Sequence, residues 1–451
     1  MSTFLDDIKE TKRQLDKVSP SFCLAKWLQV TIHLHSGYTH SCHHPIMHKI
    51  PLDELKDNPS ALHNTPLKKE QRKMMLEGKR PPECGYCWNI EDLPGKNISD
   101  RMVKSNDYWA KEYMSQVANA PWDANIQPTY VEVSFSKICN FKCCYCSPNF
   151  SSSWVSEMLQ HGEFPTRSRH HSIITEDELE VLKHKDNNPY IEAFWRWWPT
   201  LYPSLKVFRV TGGEPLLSKD TFKVIDEIAA HPTPNPDMEL AINSNFGIPT
   251  KLVEKLCKGV SPLLKEKKIK NFRLYISLDT WGAQAEYIRS GLDLELFQTN
   301  LKTVMKLLPE ADITFMCTYN ALGVVKFKQF LAQLAKWKKK QNILIDISYL
   351  RHPEFMSIKV LPKEFGRYIE ESLAFMEENN FTDYEINKLK RVLEYFNSET
   401  GYNQKMFRAD FVKYFTEIDR RRKVDFLKTF PELKKEFLQW KADLEVQETT
   451  A

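Results

Sequence analysis

The chain has 451 residues, which is more than one hydrophobic core usually holds, so two or three domains are expected. Its 63 Lys and Arg against 59 Asp and Glu leave a formal net charge of +4, a balance that predicts no general affinity for nucleic acid or for an anionic membrane. No basic region followed by an apolar one opens the chain, and no apolar run approaches the roughly 20 residues that cross a bilayer. We therefore expect a soluble, cytoplasmic protein, in which ten cysteines favour metal or redox chemistry over disulfides.

The N-terminal part of the chain carries a widely spaced set of cysteines. Residues 21–42 predict a β-hairpin, because apolar and polar residues alternate over 30–35 and a Ser36-Gly37 turn follows. A lysine-rich helix is predicted over 67–78, followed by a tight Cys-x2-Cys pair. The four cysteines are Cys23, Cys42, Cys84 and Cys87. Four thiols are the ligand set of a structural zinc and equally of a closed iron-sulfur cluster, and the spacing leaves both open.

Histidines crowd the same region, and they are alternative metal ligands. They are His33, His35, His40, His43 and His44. Each is predicted to be a surface or packing histidine, because most histidines in folded proteins bind no metal.

A compact cysteine loop follows a predicted strand. The alternating segment that begins at Tyr130 runs into Cys139, Cys143 and Cys146, with three and then two residues between the thiols. Because a structural zinc or a closed cluster takes four protein ligands, three thiols either recruit a distant ligand or leave one metal position open. A zinc knuckle on the last two cysteines is the alternative. Cys144 lies out of register and is not predicted to be a ligand.

Beyond this loop, strands and helices alternate regularly. Strands are predicted at 206–211, 239–244, 271–278, 312–318 and 343–350, and helices between them at 219–230, 251–260, 294–308 and 326–339. Strands separated by helices of this length form parallel sheets with right-handed crossovers. With the strand before Cys139 this gives six β/α units, so the fold class is α/β, a partial (β/α)6 barrel of the TIM type.

Other helices are predicted on both sides of this pattern. Residues 151–160 and 190–198 are predicted to be helical, the second with aromatic residues that favour packing over stacking on a ligand. Thr175, followed by acidic residues, predicts another helix start. The C-terminal region is predicted to be helical over 365–378, 383–396 and 404–440. The predicted domains are residues 1–127, 128–362 and 363–451.

Polar groups are predicted at the ends of the strands, where active residues of barrels gather. Gly212-Gly213-Glu214 follows one strand; glycines let the backbone approach a ligand, and a carboxylate accepts hydrogen bonds from an ammonium. Candidates on later segments are Asn243, Ser277, Asp279 and Arg289. Alternatives are a simple turn at the glycines, helix caps at Asn243 and Asp279, and a surface charge at Arg289.

The cysteine loop resembles that of the radical SAM enzymes, whose motif is Cys-x3-Cys-x2-Cys with an aromatic residue before the last cysteine, here Tyr145. The resemblance implies that Cys139, Cys143 and Cys146 ligate three irons of a 4Fe-4S cluster, with S-adenosylmethionine (SAM) on the fourth. Gly212-Gly213-Glu214 resembles the family's motif for the methionine amino group, and Arg289 resembles the arginine that binds the methionine carboxylate. The resemblance covers roughly residues 21–350 and implies the same partial barrel.

The upstream cysteines resemble the auxiliary module called a twitch or half SPASM domain. In that family the module usually follows the radical SAM core, whereas here it precedes it. The resemblance implies a second 4Fe-4S cluster on the four N-terminal cysteines.

Together these resemblances predict an enzyme that reductively cleaves SAM to a 5'-deoxyadenosyl radical, which abstracts hydrogen from a substrate carbon. A peptide or protein substrate is the main expectation, and a small molecule, sugar or nucleotide is the alternative. A flavodoxin or ferredoxin is the expected electron donor. A non-catalytic zinc protein is the remaining alternative.

Overall fold

The computed structural model of the chain describes residues 4–95, 97–171, 188–399 and 401–450. It is an α/β structure in which the predicted alternation of strands and helices is present. The strands are β1 Gln29–His33, β2 Tyr38–His40, β3 His48–Lys49, β4 Tyr130–Ser134, β5 Lys142–Cys143, β6 Val207–Thr211, β7 Glu239–Ser244, β8 Asn271–Ser277, β9 Arg289–Ser290, β10 Asp312–Tyr319 and β11 Ile343–Tyr349.

The α-helices are numbered here in chain order over the described residues. They are α1 Phe4–Val18, α2 Ala25–Leu28, α3 Leu52–Asp57, α4 Pro66–Leu76, α5 Gly85–Glu91, α6 Asp100–Ser105, α7 Tyr108–Lys111, α8 Met114–Ala118, α9 Ser152–His161, α10 Pro189–Leu201, α11 Lys219–Ala230, α12 Thr250–Lys265, α13 Ala283–Ile288, α14 Leu294–Leu307, α15 Phe327–Lys338, α16 Gly366–Glu378, α17 Asp383–Asn397, α18 Gln404–Arg422, α19 Phe426–Thr429 and α20 Lys434–Thr450. The helix start predicted at Thr175 lies outside the described residues.

The described residues divide into two compact units. The first takes its residues from 1–136, 177–242 and 262–272, and the second from 137–176, 243–261 and 273–451.

The first unit carries strands in the order β7-β6-β4-β1-β2-β3. The predicted hairpin is confirmed, since β1 and β2 pair antiparallel with His33 opposite Tyr38. An unpredicted feature is that β1 also pairs in parallel with β4, from Gln29 beside Tyr130 to His33 beside Ser134. The N-terminal cysteine-bearing segment is therefore joined to the strand that precedes the cysteine loop by a continuous backbone ladder.

The second unit carries the parallel strands β8, β10 and β11, in the order β11-β10-β8, and a separate two-stranded ladder of β5 with β9. Helices connect the parallel strands, as the sequence predicts. Within the described ranges, neither strand order returns to its starting strand, so the coarser prediction of a mostly parallel α/β fold is confirmed and a closed barrel is not found.

Local capping explains where several of these helices begin. The side chains of Ser218 and Asp293 accept hydrogen bonds from the first turns of α11 and α14, as N-cap residues do. Helix α17 begins with a capping box in which Thr382 and Glu385 exchange hydrogen bonds. The apolar faces of these helices are buried, so each helix is held by packing as well as by its cap.

The C-terminal region departs from its prediction at one place. The prediction of a single helix over 404–440 is wrong, because α18 ends at Arg422 and the next residue, Lys423, has a left-handed φ of +54°. Asp425 then caps the short helix α19, and Pro431 has no N–H to continue that helix. The chain therefore turns back, and α18 packs against α20.

The aromatic residues of α10 are part of the core, as predicted. Phe194, Trp197 and Trp198 are buried. Arg196 donates hydrogen bonds to the backbone carbonyls of Leu55 and Lys56. These contacts assign α10 to packing.

Among the described helices, none is both long enough and apolar enough to cross a bilayer.

Candidate functional site

The cysteine loop of the second unit is held against the segment that carries Arg289. Strand β5 pairs antiparallel with β9, so that Cys143 lies opposite Arg289. The Cys144 N–H donates to the Ile288 carbonyl at 2.7 Å, and the Cys146 N–H closes a turn onto the Cys143 carbonyl at 2.9 Å. These bonds fix the backbone on both sides of the second predicted ligand.

Two close approaches require glycine beside this loop. Gly291 has a φ of +110°, and a Cβ there would lie 2.8 Å from the Asn140 carbonyl oxygen. A Cβ on Gly247 would lie 2.2 Å from the ring of Phe141, which is buried. Asn140 and Phe141 therefore hold the loop against these two glycines, and the three predicted ligand cysteines lie before and after this pair of residues.

The three thiols influence one another electrostatically. Burial raises the pKa of Cys143 well above the usual range; the Arg289 guanidinium lowers it, and charges on Cys146 and Cys139 raise it. Burial also raises the pKa of Cys146 to about 12. Burial and neighbouring negative charge both disfavour the thiolate forms, and a bound cation would reverse that effect.

Asp279 and Arg289, both predicted as ligand contacts, form an ion pair with each other. Arg289 Nε donates to Asp279 Oδ2 at 2.8 Å and Nη2 donates to Oδ1 at 2.9 Å. Tyr145 Oη also donates to Oδ2 at 2.8 Å, and the Thr318 N–H donates to Oδ1 at 2.8 Å. The remaining terminal nitrogen, Nη1, lies 3.8 Å from Cys143 Sγ. Arg289 thus lies between the Asp279 carboxylate, which accepts four hydrogen bonds, and the Cys143 thiol of the loop.

The electrostatics of this group follow from its burial. Burial opposes the charge on Arg289, but the Asp279 carboxylate outweighs it and raises the Arg289 pKa well above its ordinary value. Burial raises the pKa of Tyr145 as well, so its hydroxyl stays a donor. A permanent positive charge therefore lies beside the Cys143 thiol.

Asn245 contacts the cysteine loop, whereas Asn243 is the asparagine that the sequence predicts as a ligand contact. Asn245 Nδ2 donates to Asn140 Oδ1 at 2.9 Å and lies 3.9 Å from Cys139 Sγ. Asn243 and Ser277 are half-buried residues of β7 and β8. Asn245 directly follows β7, two positions after Asn243, so the sequence alone does not choose between them.

In the first unit, Gly212-Gly213-Glu214 forms the turn after β6. Gly212 has a φ of +121°, and a Cβ there would lie 2.5 Å from the Ser136 carbonyl oxygen. The Gly213 N–H donates to that same carbonyl at 3.0 Å. Glu214 is buried, and its Oε1 accepts a hydrogen bond from the Leu216 N–H at 3.1 Å. The motif therefore has both a structural requirement for glycine and a buried carboxylate.

The four N-terminal cysteines of the first unit line one cavity. Its walls include Cys23, Cys42, Cys84 and Cys87. Burial, together with charge on Cys23 and Cys42, raises the pKa of Cys84 and of Cys87 to about 12, although Lys26 lowers that of Cys84. The structure thus brings together thiols that are separated by up to 64 positions in the sequence.

Cationic side chains lie in the wall of the same cavity. Lys26 is buried and pairs with Glu83, and it also donates to Gln71 Oε1 at 3.1 Å. Arg101 is buried and pairs with Glu91 at 2.8 Å. Both cations act to lower the pKa of Cys23 against the effect of burial, and so favour its thiolate form.

The nearby histidines take structural positions. His44 stacks on Tyr86 with ring centroids 3.6 Å apart, and its Nε2 lies 2.6 Å from Asp100 Oδ2. The rings of His33 and His40 lie 5.6 Å apart. Within the ranges that the structure describes, no three or more His, Cys, Asp or Glu side chains are grouped so as to hold a single metal ion.

Several residues that surround the cysteine loop are not predicted from the sequence. His170 Nε2 lies 3.0 Å from the Tyr145 carbonyl oxygen, and Trp154 Nε1 donates to the Cys143 carbonyl at 3.0 Å. Tyr414 and Arg422 reach the same loop from α18. Of these four residues, only Trp154 is close to the loop in sequence, since it lies in the helix directly after it, so only its contact with the Cys143 carbonyl could be expected from sequence position.

The three-cysteine loop and the strand-end motifs resemble those of the radical SAM enzymes. The chain is similar to proteins named GTP 3',8-cyclase. The Sulfurimonas denitrificans protein is 25% identical over 238 residues, which are 51% of this chain and 62% of that relative. The Campylobacter lari protein is 27% identical over 223 residues, 48% of this chain and 55% of the relative, and the Aliarcobacter butzleri protein is 28% identical over 218 residues, 46% and 55%.

The chain spans about half to three fifths of the length of the curated relatives it matches. No family model matches it.

Proposed function

We propose that this chain is a radical SAM enzyme that acts on a nucleotide or a related small molecule. The observation that supports the reaction class is the loop with the Cys139, Cys143 and Cys146 spacing, in which Cys143 pairs with Arg289 across the β5–β9 ladder and its sulfur lies 3.8 Å from the guanidinium. The substrate class comes from the relatives, whose printed name specifies GTP. They give no support to a peptide or protein substrate, so the small-molecule alternative replaces that expectation.

The donor set fits a 4Fe-4S cluster with one open iron. Cysteine thiolates are the ligands of such clusters, and three of them leave one iron for SAM. When bound, the cluster would supply the electron that breaks the sulfonium C5'–S bond of SAM, which releases methionine and a 5'-deoxyadenosyl radical. A flavodoxin or ferredoxin is the proposed source of that electron.

The chain's own residues would orient the cosubstrate and stabilise charge. Glu214 would accept hydrogen bonds from the methionine ammonium, and Asn243 and Ser277 would contact the remainder of SAM. Arg289 and Asp279, together with Tyr145, would hold the loop by their buried ion pair, with Nη1 of the arginine directed to the Cys143 sulfur. A guanidinium beside a thiolate stabilises its negative charge, which favours the metal-bound form.

We also propose a second, auxiliary 4Fe-4S cluster on Cys23, Cys42, Cys84 and Cys87. The support is that these thiols line one cavity whose wall includes Lys26 and Arg101. With all four irons ligated by cysteine, this group would transfer electrons, contact substrate or stabilise the fold.

Anaerobic turnover tests this proposal. The reconstituted full chain is given SAM and dithionite, with GTP, ATP, guanosine or no addition, and 5'-deoxyadenosine is measured by liquid chromatography. We expect 5'-deoxyadenosine in all samples and a severalfold increase with at least one of the nucleotides. A wild-type protein that holds iron and sulfide but releases none would overturn the reaction class. Equal release with and without each nucleotide, with no nucleotide binding by equilibrium dialysis, would overturn the substrate class.

A further inference from the structure

The backbone carbonyls of the cysteine loop are bonded by side chains from other segments. Beyond the two-residue ladder of β5 with β9, this loop has little regular backbone pairing. The bonded carbonyls and their partners are Cys139 with Ser153 at 2.6 Å, Phe141 with Ser151 at 2.8 Å, Lys142 with Arg422 at 3.0 Å, Cys143 with Trp154 at 3.0 Å, Cys144 with Tyr414 at 2.6 Å and Tyr145 with His170 at 3.0 Å. Buried carbonyls need such partners, so these side chains determine how the loop folds.

Two of these donors come from α18, which lies 270 or more positions further along the chain. Tyr414 is fully buried and donates its hydroxyl hydrogen to the Cys144 carbonyl. Arg422 is the last residue of α18, and its Nη1 donates to the Lys142 carbonyl and lies 3.8 Å from Cys144 Sγ. The two carbonyls belong to the residues on either side of Cys143. The helix therefore holds the backbone of a predicted cluster ligand from both directions.

Arg422 is itself fixed by further contacts. Its Nε and Nη2 donate to the two carboxylate oxygens of Glu157, each at 3.1 Å, and its guanidinium carbon lies 4.9 Å from the Trp154 ring centroid. The side chains of Arg422 and Glu157 are 5% and 2% exposed. A two-point ion pair in this environment is rigid, and it transfers that rigidity to the Lys142 carbonyl.

His171 adds a second donor at the same point. Its Nε2 lies 3.0 Å from the Cys144 carbonyl oxygen, and its ring stacks on those of Trp154 and Tyr414. The loop, α9, the 170–171 segment and α18 thus meet around one peptide group.

We propose that α18 belongs to the cluster site, with Tyr414 and Arg422 as positioning residues that hold the loop in its ligand-binding conformation. This inference rests on the proposed function, in that the loop is taken to hold a cluster. It gives the C-terminal helices a role that neither the motif nor the relatives assign.

The test compares Tyr414→Phe and Arg422→Gln with Arg420→Gln in the full chain. Arg420 lies on the same helix and also pairs with a carboxylate, that of Glu417, but its side chain is 60% exposed. The first readout is iodoacetamide labelling of Cys143 and Cys144 in metal-free protein, followed by peptide mass spectrometry. The second is the rate of iron loss to a chelator from reconstituted protein, with the electron paramagnetic resonance (EPR) spectrum of the reduced cluster before and after SAM.

We expect both site variants to label faster and to lose iron about tenfold faster than wild type, since partners of metal ligands typically change metal affinity by 10- to 100-fold. SAM should shift the EPR spectrum of wild type and Arg420→Gln, and shift that of the site variants less. Circular dichroism confirms that Tyr414→Phe, which removes one hydroxyl, is folded. Labelling and iron loss equal to wild type in folded variants would overturn the inference. If the wild-type protein takes up no cluster but the variants still label faster, Tyr414 and Arg422 hold the loop conformation as proposed. The proposed function, and not this role, would then be overturned.

Discussion

Arg289 and Asp279 meet in a two-point ion pair, with nitrogen to oxygen distances of 2.8 and 2.9 Å, and both side chains are almost fully buried. Both residues were selected from the sequence as separate contacts to SAM. Their pairing means that Asp279 is first of all the partner that holds the arginine. The arginine in turn directs Nη1 to Cys143 Sγ.

Asp279→Asn should destabilise the protein by about 3 to 5 kcal/mol, because a buried guanidinium is left without its counter-charge. Urea unfolding of the metal-free protein, followed by circular dichroism, measures this. The double variant Asp279→Leu with Arg289→Met should be less destabilised than either single variant, since it leaves no buried charge unpaired. A loss below 1 kcal/mol for Asp279→Asn would show that the pair contributes little.

Tyr145→Phe should cost about 1.5 to 3 kcal/mol, the range for a hydrogen bond to a charged group. The change removes only the hydroxyl that donates to Asp279 Oδ2, while the ring, 5.6 Å from the Arg289 guanidinium carbon, remains. The same unfolding measurement applies. If the tyrosine acts only through Asp279, adding Tyr145→Phe to the Asp279→Leu background should have almost no further effect.

Gly291→Ala should displace the cysteine loop and abolish most iron uptake, because the new Cβ would lie 2.8 Å from the Asn140 carbonyl oxygen. The matched control is Gly95→Ala, whose φ of +104° is similar but whose Cβ would meet no atom within 4 Å. Both variants share the conformational cost of a positive φ. Iron and sulfide content after reconstitution separates them, and equal iron in the two variants would refute steric seating of the loop.

Cys87→Ala should reduce iron and sulfide by about half, because it removes one ligand of the auxiliary site and leaves the loop intact. Cys257→Ala, a change at a buried cysteine of α12, should leave the metal content unchanged. Elemental analysis that finds zinc at this site in place of iron would establish the structural-zinc alternative.

Acid stability of the C-terminal region should depend on Glu417. Hydrogen bonds from Arg420 and Arg421 hold the pKa of Glu417 at about 2, although partial burial opposes them. An unfolded glutamate has a pKa of about 4.3. Because the folded pKa is the lower one, the stabilisation is complete above about pH 4.3 and is lost as the pH falls toward 2.

Glu417→Gln should therefore lower the free energy of unfolding of the metal-free protein at pH 6. It should also make the urea midpoint depend less on pH between pH 4.5 and 2.5. An unchanged slope in that range would assign the acid sensitivity to other carboxylates.

Local pattern was sufficient for the hairpin, for the longer parallel strands and for the helices between them, because each depends on residues a few positions apart. It missed the two-residue strands β3, β5 and β9 and most of the short helices of the N-terminal region. Spacing placed Cys143 in a loop, and alternation placed β7 and β8. The pairing of β1 with β4 joins residues about 100 positions apart, so no local periodicity predicts it. The contacts of Tyr414 and Arg422 with the loop have the same origin. The contact of Asn245 with Asn140 likewise depends on the loop's position, which only the folded chain provides.

Reductive cleavage of SAM at the three-cysteine loop is tested by 5'-deoxyadenosine release from reconstituted, dithionite-reduced protein with SAM, compared between wild type, Cys143→Ala and Cys257→Ala. We expect release by wild type and Cys257→Ala and none by Cys143→Ala. Equal release by all three, or none from wild-type protein that holds its iron and sulfide, would contradict it.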